Sequence, residues 1–182
     1  MSDRRPSREE VLLAKGRTIP DLIRPGLTVL FSGINPSLYS AAVGHHFARP
    51  GNRFWPALAA GGLTPRRFEP SEGGFLLDLG YGITNVVARA TATAAELDSD
   101  EFISGGVTLS RKAEEFRPAI LAFLGITSYR AAFDRPKAKV GPQAEAIGGS
   151  QVWVLPNPSG LNAHYQLVDL GRLFGNLRDA AG

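Results

Sequence analysis

Two stretches of the chain set a side-chain amide inside a rigid turn: Gly33-Ile34-Asn35-Pro36-Ser37 and Pro156-Asn157-Pro158-Ser159-Gly160. Each follows an apolar run that reads as a buried strand, residues 27–33 in the first case and 151–155 in the second. Proline fixes the backbone and removes a donor. Small Ser and Gly residues let the main chain come close to a ligand. A turn of this kind presents backbone N–H groups and an amide in a fixed frame. In an open parallel α/β sheet, ligands bind outside the carboxyl ends of the strands. A lone Asn-Pro is as readily a turn initiator and nothing more. Two such turns at two strand ends are harder to read as punctuation, so Asn35 and Asn157 become candidate site residues. The segment after the first turn, Tyr39 to Trp55, carries more His, Phe, Asn and Arg than a connector needs.

The elements that must position these turns follow from periodicity and breakers. Ser7 with Glu10 has capping-box spacing and predicts a short helix to about Lys15, within an N-terminal extension of residues 1–19. A helix opens near Phe54 and stops at Gly61-Gly62; one further turn of helix is expected at Pro65 to Phe68. Phe75 to Asp78 reads as a helix end or turn feeding a strand at 82–87, rich in β-branched residues. Residues 88–101 form a long loop, of the sort that is usually functional. A helix follows from Phe102 through Phe116. Next come a fully apolar strand at 119–124, a helix from Gly125 through Phe133, and a surface excursion at 134–149. The fourth strand, 151–155, leads through the second Asn-Pro turn to a last helix at 166–180. Strands alternating with helices predict a three-layer α/β/α fold with a mainly parallel central sheet, and a length of 182 residues suits one domain spanning 1–182.

Composition excludes several chemistries. The chain has no cysteine, which removes disulfides, thiolate zinc sites and iron–sulfur clusters. Its histidines, His45, His46 and His164, lack the spacing of a metal-binding helix, and neither metal nor cofactor is expected. No G-x-G-x-x-G or G-x-x-x-x-G-K-[ST] occurs, arguing against dinucleotide and nucleoside triphosphate sites. No run approaches the length of a membrane span and no secretory signal is evident, so a cytoplasmic monomer is expected. Net charge is +3, much of the excess arginine, which permits an anionic partner such as nucleic acid.

Five motifs in order resemble the mismatch-specific uracil-DNA and thymine-DNA glycosylases of the uracil-DNA glycosylase superfamily: Gly33-Ile34-Asn35-Pro36, Gly44-His45-His46-Phe47, Pro50-Gly51-Asn52-Arg53-Phe54-Trp55, Ile83-Thr84-Asn85-Val86-Val87 and Asn157-Pro158-Ser159-Gly160-Leu161. The resemblance covers the chain from about Pro20 to the last helix. It implies hydrolysis of the N-glycosidic bond of uracil, and more slowly of thymine or ethenocytosine, opposite guanine in double-stranded DNA. The base must first be flipped out of the stack.

The resemblance also implies roles. Asn35 would hold the attacking water, and since an amide is a poor base the bond would break largely by leaving-group departure. The backbone at Ile34 and Asn35, with Asn157, would stabilise the departing base. Phe47 would stack on it, and Asn85 would contact the base or the water. Tyr39 and Ser40 would limit room for a 5-methyl group, favouring uracil over thymine. Asn52 and Trp55 would buttress the loop. Ser159, Gly160, Leu161 and Asn162 would form the element that enters the DNA, with Leu161 as the apolar wedge. Ala163 departs from the basic or longer residue expected there, leaving His164 or Tyr165 to substitute. Asp78 and Asp98 are the candidate acids that could assist the water. Competing expectations are a glycosylase also active on single strands, and a non-catalytic binder of mismatched or abasic DNA.

Overall fold

The computed structural model of the chain describes residues 4–182. Its frame is a five-stranded sheet in the order β2-β1-β3-β5-β4, made of β1 (Val29–Gly33), β2 (Tyr81–Asn85), β3 (Ile120–Leu124), β4 (Gly141–Ile147) and β5 (Ser150–Leu155). The first four strands in that order are parallel, and β4 runs antiparallel to β5 at the edge. Every residue of β1 and β3 is buried. A parallel sheet covered on both faces accounts for this, because neither set of alternating side chains reaches water.

Alternation along the strands separates two cores. Val29, Phe31, Ile120, Ala122, Leu124, Trp153 and Leu155 point to one face, against α3 (Phe54–Ala60) and α7 (Leu167–Ala181). Leu30, Leu121, Phe123, Val152 and Val154 point to the other, against α5 (Ser99–Phe116) and α6 (Ile126–Phe133). The remaining helices are short: α1 (Arg8–Leu13), α2 (Leu38–Val43) and α4 (Phe75–Asp78). The expected three-layer α/β/α fold is what forms.

The sheet order explains where a ligand can enter. From β1 the chain crosses to β2 on one side, and the next strand, β3, lies on the other side of β1. The connections leaving the carboxyl ends of β1 and β3 therefore diverge, opening the crevice typical of such switch points. Asn35 lies just beyond the end of β1, and Asn157 just beyond β5.

Four local expectations change. The excursion at 134–149 contains β4, an edge strand without β-branched residues apart from its terminal Ile147; its hairpin with β5 turns through Gly148 and Gly149, both with positive φ (56° and 86°), as a two-residue turn with glycine at both central positions favours. The segment after the first Asn-Pro turn, expected as a polar connector, opens with α2, capped by Ser37, whose side chain accepts from the Ser40 N–H, and closed by Gly44 at φ 75°. Helix α5 begins at Ser99 rather than Phe102, with Asp98 as its N-cap. The helical turn expected at Pro65–Phe68 is replaced by a 3-10 turn at Pro70–Glu72.

Helices α3 and α7 approach through glycine. A Cβ on Gly61 would lie 2.8 Å from Phe174 Cβ, and one on Gly171 would lie 2.8 Å from Ala60 Cβ. Gly171→Val should therefore force the two helices apart at a cost of about 1–3 kcal/mol. At roughly 2–4 °C per kcal/mol for a chain of this size, calorimetry should show a clear drop in Tm; an unchanged melt would contradict the close approach.

Candidate active site

A cavity of about 140 Å³ opens at the switch point, lined by Ile34, Asn35, Ser40, His46, Phe47, Asn52, Asn85, Asn157 and Ser159 among others. A water occupies about 30 Å³ in the liquid, so the cavity holds about five waters. That is room for a pyrimidine ring with a water beside it.

Asn35 is held by its nitrogen. Its Nδ2 donates to the Arg89 carbonyl at 2.9 Å and to Thr91 Oγ1 at 2.8 Å. A carbonyl oxygen can only accept, so the amide nitrogen must face that way. Both amide hydrogens are then spent, and Oδ1 has no partner among the described residues. The bonding loop is anchored in turn: Arg89 donates to Glu101 through Nε (2.5 Å) and Nη2 (3.0 Å), and to the Glu96 carbonyl at 3.0 Å. The guanidinium of Arg89, with the Asp98 N–H, holds the Glu101 carboxyl down to about 2. Thr91 completes the brace by donating to the Thr93 carbonyl at 2.7 Å.

Three more amides line the same cavity. Asn157 Oδ1 accepts from the Ser159 N–H at 3.0 Å, which leaves its Nδ2 as a donor without a partner. Asn85 makes no side-chain hydrogen bond among the described residues, so both ends of its amide are available. Its Oδ1 sits so close to Gly33 that a Cβ there would approach to 2.6 Å, and the Phe47 ring to 3.2 Å. Asn52 differs: its Oδ1 accepts from the Phe54 N–H at 2.9 Å, so it serves the start of α3. The backbone N–H groups of Ile34 and Asn35 donate to no group in the described chain.

Phe47 takes a positive φ of 53°, a conformation that a bulky residue holds only when its surroundings impose it. Its ring lies 4.2 Å from that of Phe54, centroid to centroid, and also lines the cavity. The loop's path is set nearby. Ser40 Oγ accepts from the Ala48 N–H at 3.0 Å, and Trp55 Nε1 donates to the His46 carbonyl at 3.1 Å. His46 Nε2 lies 2.9 Å from the Pro20 carbonyl, so Nε2 carries the proton. Burial pushes this imidazole below its usual range, against the smaller opposing effects of Pro20 and Asp21.

The second Asn-Pro turn leads into a self-braced loop. Ser159 Oγ accepts from the Leu161 N–H (3.2 Å), Asn162 Nδ2 donates to the Asn157 carbonyl (3.0 Å), and Asn162 Oδ1 accepts from the His164 N–H (3.2 Å). Arg53 grips it from outside, donating to the carbonyls of Ser159 (2.7 Å), Asn162 (3.0 Å) and Tyr165. Gly160 passes so near the Gly51 carbonyl that a Cβ would lie 2.6 Å from it. On this frame Leu161 is 78% exposed, an apolar side chain held out in water.

Several expected residues fall elsewhere. Asp78 ends α4 and is exposed, near the start of β2 and so at the opposite end of the strands from the cavity. Asp98 is the exposed N-cap of α5, its N–H donating to Glu101 at 2.9 Å. Neither lines the cavity, and no carboxylate among the described residues does. Tyr39 faces a neighbouring groove instead, while Ser40 does line the cavity. Tyr165 packs against the core and His164 is exposed. The roles of Arg53, Arg89 and Thr91 went unread in the sequence; a long polar loop at 88–101 was the one signal pointing to the last two.

Two outcomes follow from this geometry. Arg53→Ala leaves three carbonyls without their charged donor, so the 157–165 loop should become the first site of limited proteolysis and stability should fall by about 1–3 kcal/mol; an unchanged digestion pattern would contradict the clamp. For His46, the lowered folded-state pKa means the unfolded chain binds the proton first. Its contribution is intact above the unfolded value of about 6.5 and is lost as pH falls below that toward the folded-state value. Melts of the wild type should weaken over that window, and those of His46→Gln should weaken less.

Residues 20–177 match the uracil DNA glycosylase superfamily. The fold is similar to the solution NMR structure of a candidate uracil DNA glycosylase from Methanosarcina acetivorans, with a TM-score of 0.57 at 19% identity, covering 90% of this chain and 98% of that one. With the sequence match spanning both Asn-Pro turns and the whole sheet, the chain belongs to the uracil DNA glycosylase superfamily.

Proposed function

We propose that the protein is a monofunctional DNA glycosylase that flips uracil out of duplex DNA, favours uracil mispaired with guanine, and hydrolyses its N-glycosidic bond to leave an abasic site. The observation that carries this reading is Asn35: both amide hydrogens are bound to Arg89 and Thr91, and the free Oδ1 belongs to a base-sized cavity. An oxygen so fixed can accept from a water and orient it, but cannot take its proton at neutral pH.

With no carboxylate lining the cavity, the reaction must run through departure of the base. The C1′–N1 bond breaks with its electron pair going to the base, and the sugar becomes cation-like. The water on Asn35 then adds at C1′ and its proton passes to solvent. The catalytic burden falls on stabilising the anionic base by preorganised donors. The free N–H groups of Ile34 and Asn35 and the free Nδ2 of Asn157 serve as those donors. Phe47 stacks on the ring. Asn85, with both amide ends open, suits the adjacent N–H and carbonyl of a pyrimidinedione edge. Leu161 enters the gap left by the base, and the main chain at Gly160 faces the orphaned guanine. Discrimination against a 5-methyl group rests on Ser40, whose position is pinned by Ser37 and Ala48.

The test is single-turnover base release, read by alkaline cleavage of abasic sites, from uracil, thymine and ethenocytosine opposite guanine and from uracil in a single strand. Uracil opposite guanine should react fastest. Asn35→Ala should slow release by on the order of 10²-fold or more, the scale of a misplaced reactant, with DNA binding nearly intact. No product from any substrate would leave only a non-catalytic binder, and thymine released as fast as uracil would remove the role given to Ser40.

A further inference from the structure

A second, much larger depression of about 1060 Å³ adjoins the cavity and shares Phe47, Arg49 and Asn52 with it. Its walls come from the N-terminal extension, from α2 with the loop after it, and from the segment at 67–71. Five arginines line it, Arg4, Arg5, Arg17, Arg49 and Arg67, against two acids, Glu10 and Glu69. That excess equals the net charge of the whole chain, +3.

Glu10 is already engaged, paired with Arg4 at 2.5 Å and accepting from the Ser7 N–H at 2.6 Å. Arg5, Arg17, Arg49 and Arg67 make no side-chain hydrogen bond or ion pair among the described residues. Outside the groove, Arg24, Arg53, Arg66, Arg89, Arg130, Arg135 and Arg178 all donate to carbonyls or carboxylates, while Arg8, Arg111, Arg117 and Arg172 are unpaired among the described residues but do not line the groove. Unpaired guanidinium groups gathered in one groove repel one another until an anion arrives. Their spread over a groove this size suits a run of phosphates better than one small ion. Tyr39 and His45, both half-buried on the same wall, add the ring faces that accompany cationic grooves for nucleic acid strands.

We infer that this groove carries the phosphodiester backbone of the target strand beyond the flipped nucleotide, with Arg5, Arg17 and Arg67 contacting successive phosphates and Arg49 standing at the junction with the base cavity. The inference rests on the glycosylase reading for its direction, since a nucleotide in the cavity puts its own backbone at the shared mouth. The same phosphates could belong to a duplex flank or to an unpaired strand, and the two are separable.

The experiment compares the full chain with Arg5→Gln/Arg17→Gln/Arg67→Gln and with a charge-matched control, Arg111→Gln/Lys137→Gln/Lys139→Gln, whose residues line neither depression shared with the site. Affinity for a lesion-bearing oligonucleotide is measured between about 50 and 200 mM KCl, as duplex and as single strand. Losing three phosphate contacts should flatten the log–log salt slope by about 2.7 on duplex or about 2 on single strand, and the substrate affected names the source. The control should keep the wild-type slope. Wild-type slopes in the groove variant on both substrates, or equal flattening in the control, would overturn the groove. Base release in the same samples is scored separately: if the wild type releases no base from any duplex, the glycosylase reading fails while the slopes still decide the groove.

Discussion

The site depends on how one amide is oriented. Asn35 follows a buried strand, but a strand end does not say which way an amide plane turns. Two acceptors on the far side, the Arg89 carbonyl and Thr91 Oγ1, take both of its hydrogens. The choice is chemical, because a carbonyl oxygen cannot receive anything but a donor. What remains outward is a carbonyl oxygen, an acceptor suited to a water and unsuited to deprotonating it. The brace reaches into the frame through Arg89 and Glu101, and Glu101 sits in the first turn of the longest helix. Local order at the site is therefore borrowed from α5, whose Leu109 and Ala113 are packed into the core.

The second turn is held differently. Its loop spends its own polar groups on itself, in short side-chain-to-backbone turns, and receives three further bonds from Arg53. A guanidinium presents several donors in a fixed fork, which lets one side chain tie down separate carbonyls. The result is an exposed leucine on a rigid mount. An apolar side chain in water is costly in most loops; here the backbone cannot fold it away, because every nearby turn is already committed.

These two devices set what chemistry is open. Amides, backbone donors and one aromatic face line the cavity, and carboxylates do not. A site of this composition stabilises negative charge on a leaving group better than it activates a nucleophile. Membership in the uracil DNA glycosylase superfamily is consistent with that bias. The candidate acids lie away from the cavity for reasons of topology: Asp78 ends α4, just before the amino end of β2, and Asp98 is used to start a helix.

By itself the sequence determined the layers. Short, fully apolar runs such as Ile120–Leu124 read as strands covered on both sides, and strands alternating with helices make the sheet mainly parallel. It also determined that Asn35 and Asn157 lie at one edge, because carboxyl ends of parallel strands coincide. Phe47 and Leu161 were legible as well, through motif and through an apolar residue set in a polar turn. Weak local signals hid the rest: β4 has almost no β-branched residues, and α2 is too short to show a helical period. Only the tertiary structure decided the partners of the side chains. Arg53 reaches carbonyls more than a hundred residues away, and Thr91 meets Asn35 across 56 positions. No spacing rule encodes such meetings, because the distance between two side chains there is set by how the sheet orders its strands and not by the chain between them.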